Sequence, residues 1–159
     1  MTNTAIRWKD ESDAQWLDAL IRDDWAGEPL IVHGTEYMLR DSPTLIAGRR
    51  DGVAIFTYGT NDTLPELLLL HALRQGSGIG TELIAAVVSA VRQRGRRRLL
   101  VTTTNDNLAA LKFYQRRGFR MHELRIGAVD EARGRKPWIP LDGFNGIGLH
   151  DEIDLLLEI

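Results

Sequence analysis

Apolar positions along the chain follow two different spacings, and these spacings predict a series of helices and strands. From residue 12 to residue 25, apolar side chains recur every three or four positions and predict an amphipathic helix. Short apolar or alternating stretches bounded by turn residues predict strands at 5–8, 44–48, 53–58, 66–72, 99–104, 119–126 and 152–159. Residues 30–39 have a mixed pattern and receive no assignment. Helices alternating with strands are typical of an α/β fold.

The clearest pattern lies in residues 66–91. A nearly continuous apolar strand at 66–72, as expected for a strand covered on both faces, is followed by a glycine-rich turn and an amphipathic helix. Glycine has no Cβ, so the turn can approach a ligand closely. The start of the helix offers unpaired N–H groups and the positive end of a dipole. This combination predicts a site for a small molecule that carries phosphate.

Three kinds of glycine-rich phosphate loop compete for this turn. A Walker loop requires a lysine after its last glycine, and none is present. A dinucleotide loop requires Gly or Ala where this chain has Thr81 or Leu83, and an acidic residue where it has 96–100, which is Arg-Arg-Arg-Leu-Leu. The pattern (Q/R)xxGxG, in contrast, is satisfied by residues 75–80.

A second motif occupies residues 105–119. Asn105 or Asp106 can cap a helix, and Gly118 can close it in a left-handed conformation. Asn107, Ala110 and Tyr114 are spaced by three and four residues, so they share one helical face. Without further context, Tyr114 is an amphipathic core residue with its hydroxyl at the edge of the core.

Taken together in this order, the two motifs resemble those of the GNAT superfamily of N-acetyltransferases. The resemblance implies a GNAT fold, with a central, mixed and twisted sheet of about six to seven strands flanked by helices, in one domain over residues 1–159. It also implies acetyl-CoA as co-substrate. The residues expected to contact it are Leu68, Leu70, Gln75, Gly76, Ser77, Gly78, Ile79, Gly80, Thr81, Asn107, Ala110 and Tyr114.

The reaction implied by the resemblance is transfer of an acetyl group to a primary amine of a small molecule or protein, by direct attack on the thioester. Tyr114 is expected to give a proton to the sulfur of CoA. The base is open between Glu66, His71 and an ordered water. Strand alternation places Glu66 on the same side as Leu68 and Leu70, and places His71 on the opposite side. The alternatives are a non-catalytic acyl-CoA-binding module on the same fold and, more weakly, a dinucleotide-binding protein.

Residues 127–151 contain several prolines and glycines and predict a long loop. Its apolar side chains, including Trp138, Phe144 and Ile147, favour an ordered lid over the acceptor cleft rather than disorder. Acidic residues on its flanks either attract a cationic amine or form a solvated surface. They are Asp130, Glu131, Asp151 and Glu152.

Composition narrows the remaining functions. A net charge of -2 argues against a general nucleic-acid binder. The chain has no cysteine, and its four histidines lack metal-ligand spacing, so neither a disulfide framework nor a metal is expected. Neither a signal peptide nor an apolar run of membrane-spanning length is apparent, which predicts a cytoplasmic protein without a membrane partner. The amine acceptor and a possible homodimer stay open.

Overall fold

A seven-stranded mixed sheet forms the centre of the computed structural model, which describes residues 4–159. The strands are β1 (Ile6–Trp8), β2 (Leu30–Val32), β3 (Thr35–Tyr37), β4 (Thr44–Ala47), β5 (Gly52–Thr57), β6 (Glu66–Ala72), β7 (Arg98–Thr104), β8 (Arg120–Arg125) and β9 (Glu152–Glu158). The order across the sheet is β1-β4-β5-β6-β7-β9-β8, and β2 pairs with β3 in a separate hairpin. Among the strands of residues 4–159, only β6 and β7 pair in parallel. The predicted mixed sheet of six to seven strands is confirmed.

Four helices cover the two faces of this sheet. They are α1 (Ala14–Asp24), α2 (Ile79–Gln93), α3 (Leu108–Gln115) and α4 (Ala128–Arg135). On one face, α2 and α3 pack over a core that includes Phe56, Leu67, Leu83, Val101 and Leu155. On the other face, the apolar stripe of α1 packs over a second core that includes Ile46, Ile55 and Leu69. The two tryptophans of the stripe, Trp16 and Trp25, pack against this second core.

The start of α1 is fixed by a buried carboxylate. Asp13 is fully buried and accepts hydrogen bonds from Arg7 at 2.7 and 2.9 Å and from Arg50 at 3.1 Å. It also accepts from the backbone N–H of Asp10, in the capping box of the 3-10 turn Glu11–Asp13 that leads into α1. These contacts join α1 to β1 and to the turn between β4 and β5. The hydrogen bonds from Arg7 hold the pKa of Asp13 well below its usual value, although burial opposes them.

The hairpin β2–β3 fills the stretch that the sequence pattern left unassigned. His33 and Gly34 form its two-residue turn, with φ of 41° and 77°. Positive φ at both positions matches the right-handed twist of the strands, but a residue with a Cβ is strained there. Because the strands have only three residues each, their alternation is too short to stand out in the sequence.

The predicted loop at 127–151 is partly wrong, since its first third forms α4. This helix buries only Val129 and Ala132, and its other residues are mostly charged. An apolar stripe of two residues is too narrow to be recognised as helical periodicity. The rest of the segment contains one short 3-10 turn, Phe144–Gly146.

A β-bulge in β6 changes which side chains share a face. Ile55 pairs with Leu69 and Phe56 pairs with Leu67, so Leu68 is an extra residue in the ladder. Leu68 and Leu69 therefore both face the α1 core, while Leu67 and Leu70 face α2. The predicted common orientation of Glu66 and Leu70 is wrong for this reason.

Within residues 4–159, no helix combines the length and the apolar character needed to cross a membrane.

Candidate active site

The site begins where β6 and β7 separate. The two strands pair only at Glu66 with Leu100 and at Leu67 with Val101. Beyond that point β6 continues along β5, and β7 continues along β9. Within the described residues, the facing edges of the two strands are thus not paired with each other, and their backbone groups are available to a ligand. An extended molecule with amide groups can fill such a gap by strand-like hydrogen bonds.

The glycine-rich turn follows the end of β6. Gly76 and Gly78 have φ of 75° and 83°, and Gly78 is the N-cap of α2. A Cβ at either position meets no atom within 4 Å, so these glycines are needed for their backbone conformation and leave open space beside the turn. Gly80 differs, since its Cβ would lie 3.0 Å from the ring of Phe113. Gly80 therefore allows α3 to pack closely against α2.

The polar residues of the turn are exposed, and one arginine lies beside them. Ser77 donates through its hydroxyl to the carbonyl of Arg74 at 2.6 Å, and Gln75 is exposed. Thr81 accepts at 2.8 Å from Nε of Arg117, whose guanidinium lies 3.4 Å from the centre of the Phe113 ring. Arg117 did not emerge from the sequence pattern. It adds a positive charge next to the unpaired N–H groups at the start of α2.

The start of α3 is capped by Asn107, not by Asn105 or Asp106 as predicted. Oδ1 of Asn107 accepts from the backbone N–H of Ala110 at 3.1 Å. Asn107 is thus the cap of the helix and not a member of its lateral face. Gly118 has a φ of 91°, in agreement with the left-handed conformation predicted for it after the helix.

Tyr114 lies on the α2 side of the gap. It belongs to the core that contains Leu67 and Val101, the last paired residues of β6 and β7. The rings of Phe113 and Phe119 contact it edge-on, with centroids 5.3 Å away. Burial raises the pKa of Tyr114 well above its usual value, so the hydroxyl stays protonated at neutral pH. A protonated phenol at this position can serve as a proton donor.

Glu66 lies on the opposite side of the gap, in a hydrogen-bonded network. The carboxylate is buried. Its Oε2 lies 2.7 Å from Nε2 of His33 and 3.5 Å from the hydroxyl of Tyr37, and its Oε1 accepts from Thr102 at 3.0 Å. Burial, together with the charge of Glu66, raises the pKa of Tyr37 to about 12. Glu66 is therefore not the solvated glutamate that a position at a strand start permits.

The network continues into a cluster of carboxylates around one guanidinium. Arg125 donates two hydrogen bonds to Asp154, at 2.5 and 2.6 Å, and one to Glu152 at 3.4 Å. Burial raises the pKa of Glu152. Burial also acts to raise the pKa of Asp154, but the hydrogen bonds from Arg125 and Thr102 outweigh it and the pKa is lowered. The network thus holds the carboxylates of Glu66, Glu152 and Asp154 together with the guanidinium of Arg125 and the imidazole of His33.

A cleft of about 320 Å³ opens beside this cluster. It is lined by residues of the hairpin, of α4 and of the ends of β8 and β9: Ile31, His33, Gly34, Arg125, Ile126, Ala128, Glu131, Ala132, Arg135 and Glu152. Of the four flanking acidic residues in the sequence, Glu131 and Glu152 line the cleft. Asp130 instead pairs with Arg133 and His150, and Asp151 accepts from the N–H of Gly127.

Residues 136–151 are tied to the rest of the molecule at both ends. Lys136 is buried and donates to the carbonyls of Gly27 and Pro29, and Trp138 donates to that of Ala26. At the other end, Asp106 accepts from the N–H of Phe144 at 2.9 Å. The segment thus reaches from the loop before β2 to the junction of β7 and α3.

Asn105 holds the last part of this segment, and its loss is expected to loosen it. The side chain donates to the carbonyl of Gly148 and accepts from the N–H groups of His150 and Asp151, at 2.8 to 3.0 Å. In Asn105→Ala we expect these two amides to exchange with deuterium at least about tenfold faster, because an opening that costs 1.4 kcal/mol less is ten times more frequent. Hydrogen exchange read by NMR measures this. Equal exchange rates in the two proteins would contradict the anchoring role.

His71 does not join the site. His71 pairs with Val53 of β5, which belongs to the α1 core. Because of the bulge, His71 therefore lies on the same face of the sheet as Glu66, whereas strand alternation predicted the opposite face. It nevertheless lies five residues further along the strand, roughly 16 Å away at the usual rise per residue. His71 is also not among the residues that line the cleft.

Besides Arg117, the sequence pattern did not indicate five residues around Glu66: His33, Tyr37, Thr102, Arg125 and Asp154. The one available signal was the His-Gly pair between two three-residue stretches with β-branched residues, which is compatible with a tight hairpin. The other four residues lie on β3, β7, β8 and β9, which are far apart in the sequence and are brought together only by the folding of the chain.

The chain resembles known proteins in sequence and in fold. The family model of the Acetyltransferase (GNAT) family matches residues 15–119. The uncharacterized protein YxbD of Bacillus subtilis (strain 168) is 39% identical over 145 residues, which cover 90% of this chain and 91% of that protein. Among solved structures, an IAA acetyltransferase from Bacillus cereus ATCC 14579 superposes with a TM-score of 0.75 at 21% identity, over 99% of this chain and 100% of that one.

A second solved structure is a GNAT family acetyltransferase from Elizabethkingia anophelis with acetyl-CoA bound. It superposes with a TM-score of 0.70 at 19% identity, and all of both chains is covered. At these identities the two structures support the fold, while the family match and the relative from B. subtilis carry the assignment. The chain is a member of the GNAT family of acetyltransferases.

Proposed function

We propose that the protein transfers the acetyl group of acetyl-CoA to a primary amine. The observation that carries this proposal is the gap between β6 and β7, with a phenol on one side and a buried carboxylate network on the other. A direct transfer needs a proton donor for the departing sulfur and a proton acceptor for the incoming ammonium, whose ordinary pKa is about 10.4 in a lysine-like amine. The two sides of the gap offer one of each.

The residues around the gap fit acetyl-CoA. The open space beside Gly76 and Gly78, the unpaired N–H groups at the start of α2 and the guanidinium of Arg117 suit a pyrophosphate. The free edge of β6 beyond Leu67 suits the amide groups of the pantetheine arm. When bound, acetyl-CoA supplies the activated acetyl group. A relative of the same fold binds acetyl-CoA, which supports the same ligand here.

Tyr114 and the hydrogen-bonded network around Glu66 take the proton roles in this proposal. Tyr114 gives its proton to the sulfur as the carbon–sulfur bond breaks. The Glu66 network draws a proton from the ammonium so that the nitrogen lone pair becomes available. The acceptor enters through the cleft that His33 lines together with Glu131 and Glu152.

Two measurements test the proposal. Calorimetric titration with acetyl-CoA, with NADH as control, measures co-substrate binding. Release of free CoA is then followed with a panel of amines that contains spermidine, putrescine, tyramine, lysine and a peptide with a free N-terminus. Binding without turnover of any amine would indicate a non-catalytic acyl-CoA-binding module, and binding of NADH alone would revive the dinucleotide interpretation.

Gly78→Val is expected to weaken acetyl-CoA binding. Valine is strained at a φ of 83°, and its side chain extends into the open space beside the turn. We expect affinity to fall at least about tenfold, equivalent to 1.4 kcal/mol. Calorimetric titration with acetyl-CoA measures the loss.

Gly95→Val is the matched control. Gly95 has a φ of 73°, and a Cβ there also meets no atom within 4 Å, but it lies beyond the other end of α2. Both variants are expected to lose about 1–2 kcal/mol of unfolding free energy through backbone strain. Only Gly78→Val is expected to lose affinity. An equal loss of affinity in both would show that strain, and not the turn, controls binding.

A further inference from the structure

His33 stands between the buried Glu66 carboxylate and the cleft. The side chain of Glu66 is 4% exposed and that of His33 is 23% exposed. His33 lines the cleft, whereas Glu66 is not among its lining residues. The imidazole is bound to Glu66 through Nε2 at 2.7 Å. An amine that enters the cleft thus reaches the imidazole before it reaches the carboxylate.

The backbone of His33 is held in a costly conformation by specific contacts. Its φ of 41° lies in the left-handed region, where this turn position favours Asn or Gly. Its N–H donates to Oε1 of Glu152 at 2.8 Å, and Arg135 donates to the carbonyl of Gly34 at 3.0 Å. A histidine kept in a strained turn by a buried carboxylate points to a requirement for its side chain.

His33 and Tyr114 lie on opposite sides of the same gap. Glu66 pairs with Leu100 where β6 and β7 separate, and His33 contacts Glu66 on the hairpin side. Tyr114 lies on the side of α2 and α3. This is the arrangement expected when one group removes a proton from the acceptor and another gives a proton to the leaving group.

We propose that His33 is the catalytic base of the reaction, with Glu66 as the residue that orients its ring. This inference rests on the proposed acetyltransferase function. Nδ1 of His33 takes a proton from the ammonium of the acceptor, and the imidazolium is stabilised by Glu66. As the carbon–nitrogen bond forms and the carbon–sulfur bond breaks, Tyr114 protonates the sulfur. The second proton lost by the nitrogen restores the phenol through water, and His33 releases its own proton to solvent.

The charges around His33 set the pH dependence. Its hydrogen bond to Glu66 raises its pKa above the usual 6.5, against the effect of burial. The other groups that face it are Tyr37 of β3, Arg125 of β8, Glu152 and Asp154 of β9, and Glu131 and Arg135 of α4. A base works only when neutral, so activity falls as the pH drops below the raised pKa.

His33→Asn removes the base and keeps the turn, because asparagine is favoured at this turn position. With the amine of the panel that is acetylated fastest, we expect kcat to fall about 10²- to 10⁴-fold. The KM for acetyl-CoA is expected to stay within about twofold, since uniform binding is untouched. The fall of activity on the acid side is expected to disappear from the pH profile.

Glu66→Gln gives a signature that a purely structural role of His33 would not produce. Without the carboxylate, the pKa of His33 decreases, and the acid limb of kcat/KM is expected to move to lower pH. NMR titration of the His33 ring is expected to show the same shift without any acceptor present. If Glu66 were the base itself, activity would be lost with no such shift in the limb.

Glu36→Gln is the matched control on the hairpin. Glu36 is exposed and pairs with Arg135 at 2.9 Å, outside the Glu66 network. We expect unchanged kcat and an unchanged acid limb. If His33→Asn kept activity within about threefold with its acid limb in place, the inference would be overturned while the proposed function stood. If wild-type protein bound acetyl-CoA but acetylated no amine, both would be overturned.

Discussion

Tyr114→Phe is expected to reduce kcat by about 10²- to 10⁴-fold, the usual contribution of a positioned acid. The ring stays in place between Phe113 and Phe119, so the core around it is preserved. Only the hydroxyl is lost, and with it the proton for the departing sulfur. The affinity for acetyl-CoA is expected to stay within about twofold, because the hydroxyl that donates the proton is not one of the groups proposed to bind the pyrophosphate and the pantetheine arm. Steady-state kinetics and calorimetry on the same preparation separate these two effects.

Tyr58→Phe is the control for this change. Tyr58 also packs edge-on against a phenylalanine, at 5.2 Å from Phe56, but lies beyond the end of β5 under Arg94. It is expected to keep full activity. A loss of activity in Tyr58→Phe similar to that in Tyr114→Phe would indicate an effect on packing. Full activity in Tyr114→Phe would assign the proton to another donor.

The pKa of Tyr114 adds a second expectation. Burial raises this pKa well above 10, and an acid works only while protonated. Wild-type activity is therefore expected to show no decrease from Tyr114 up to about pH 10, the usual pKa of a tyrosine. The acid limb belongs to the base on the other side of the gap. The acid limb of the pH profile therefore reports on the base alone.

The sequence pattern predicted the strands of the main sheet well, including the three-residue β1, and the longer strands extend far enough to show their own period. The strand β6 and the helix α2 are buried on wide surfaces and carry continuous apolar runs. The elements that were missed, β2, β3 and α4, are short or bury few residues. Their positions depend on contacts with distant residues, such as the hydrogen bond from Arg135 to the carbonyl of Gly34. Local periodicity does not contain that information.

The candidate site shows the same division. The proposed co-substrate side consists of two local motifs, at 75–81 and 107–114, and both could be recognised from their spacing. The proposed acceptor side is assembled from β3, β6, β7, β8 and β9 and from the turn at His33. A single extra residue at Leu68 was enough to reverse the faces assigned to Leu70 and His71. Strand alternation therefore predicts the wrong faces in β6, the strand that carries both candidate bases, Glu66 and His71.

Asp13→Ala is expected to cause the largest loss of stability, about 3 kcal/mol of unfolding free energy. This value is at the low end for breaking a buried ion pair, because Arg7 and Arg50 are partly exposed. The variant leaves both arginines and the N–H of Asp10 without their common acceptor. Urea unfolding at pH 7 measures the loss. Asp23→Ala removes another Arg–Asp pair whose side chains are 70% and 62% exposed, and it is expected to cost less than about 0.5 kcal/mol.

The same ion pair predicts how the difference between wild type and Asp13→Ala depends on pH. The pKa of native Asp13 lies well below the value of about 3.9 expected in the unfolded chain. Its stabilisation is thus complete above about pH 5 and is lost as the pH falls further, because the unfolded state then binds a proton that the native state does not. We expect the difference in unfolding free energy between the two proteins to be constant from pH 7 to pH 5 and to become smaller below pH 4. A difference that does not depend on pH would mean that Asp13 contributes through packing and capping rather than through its charge.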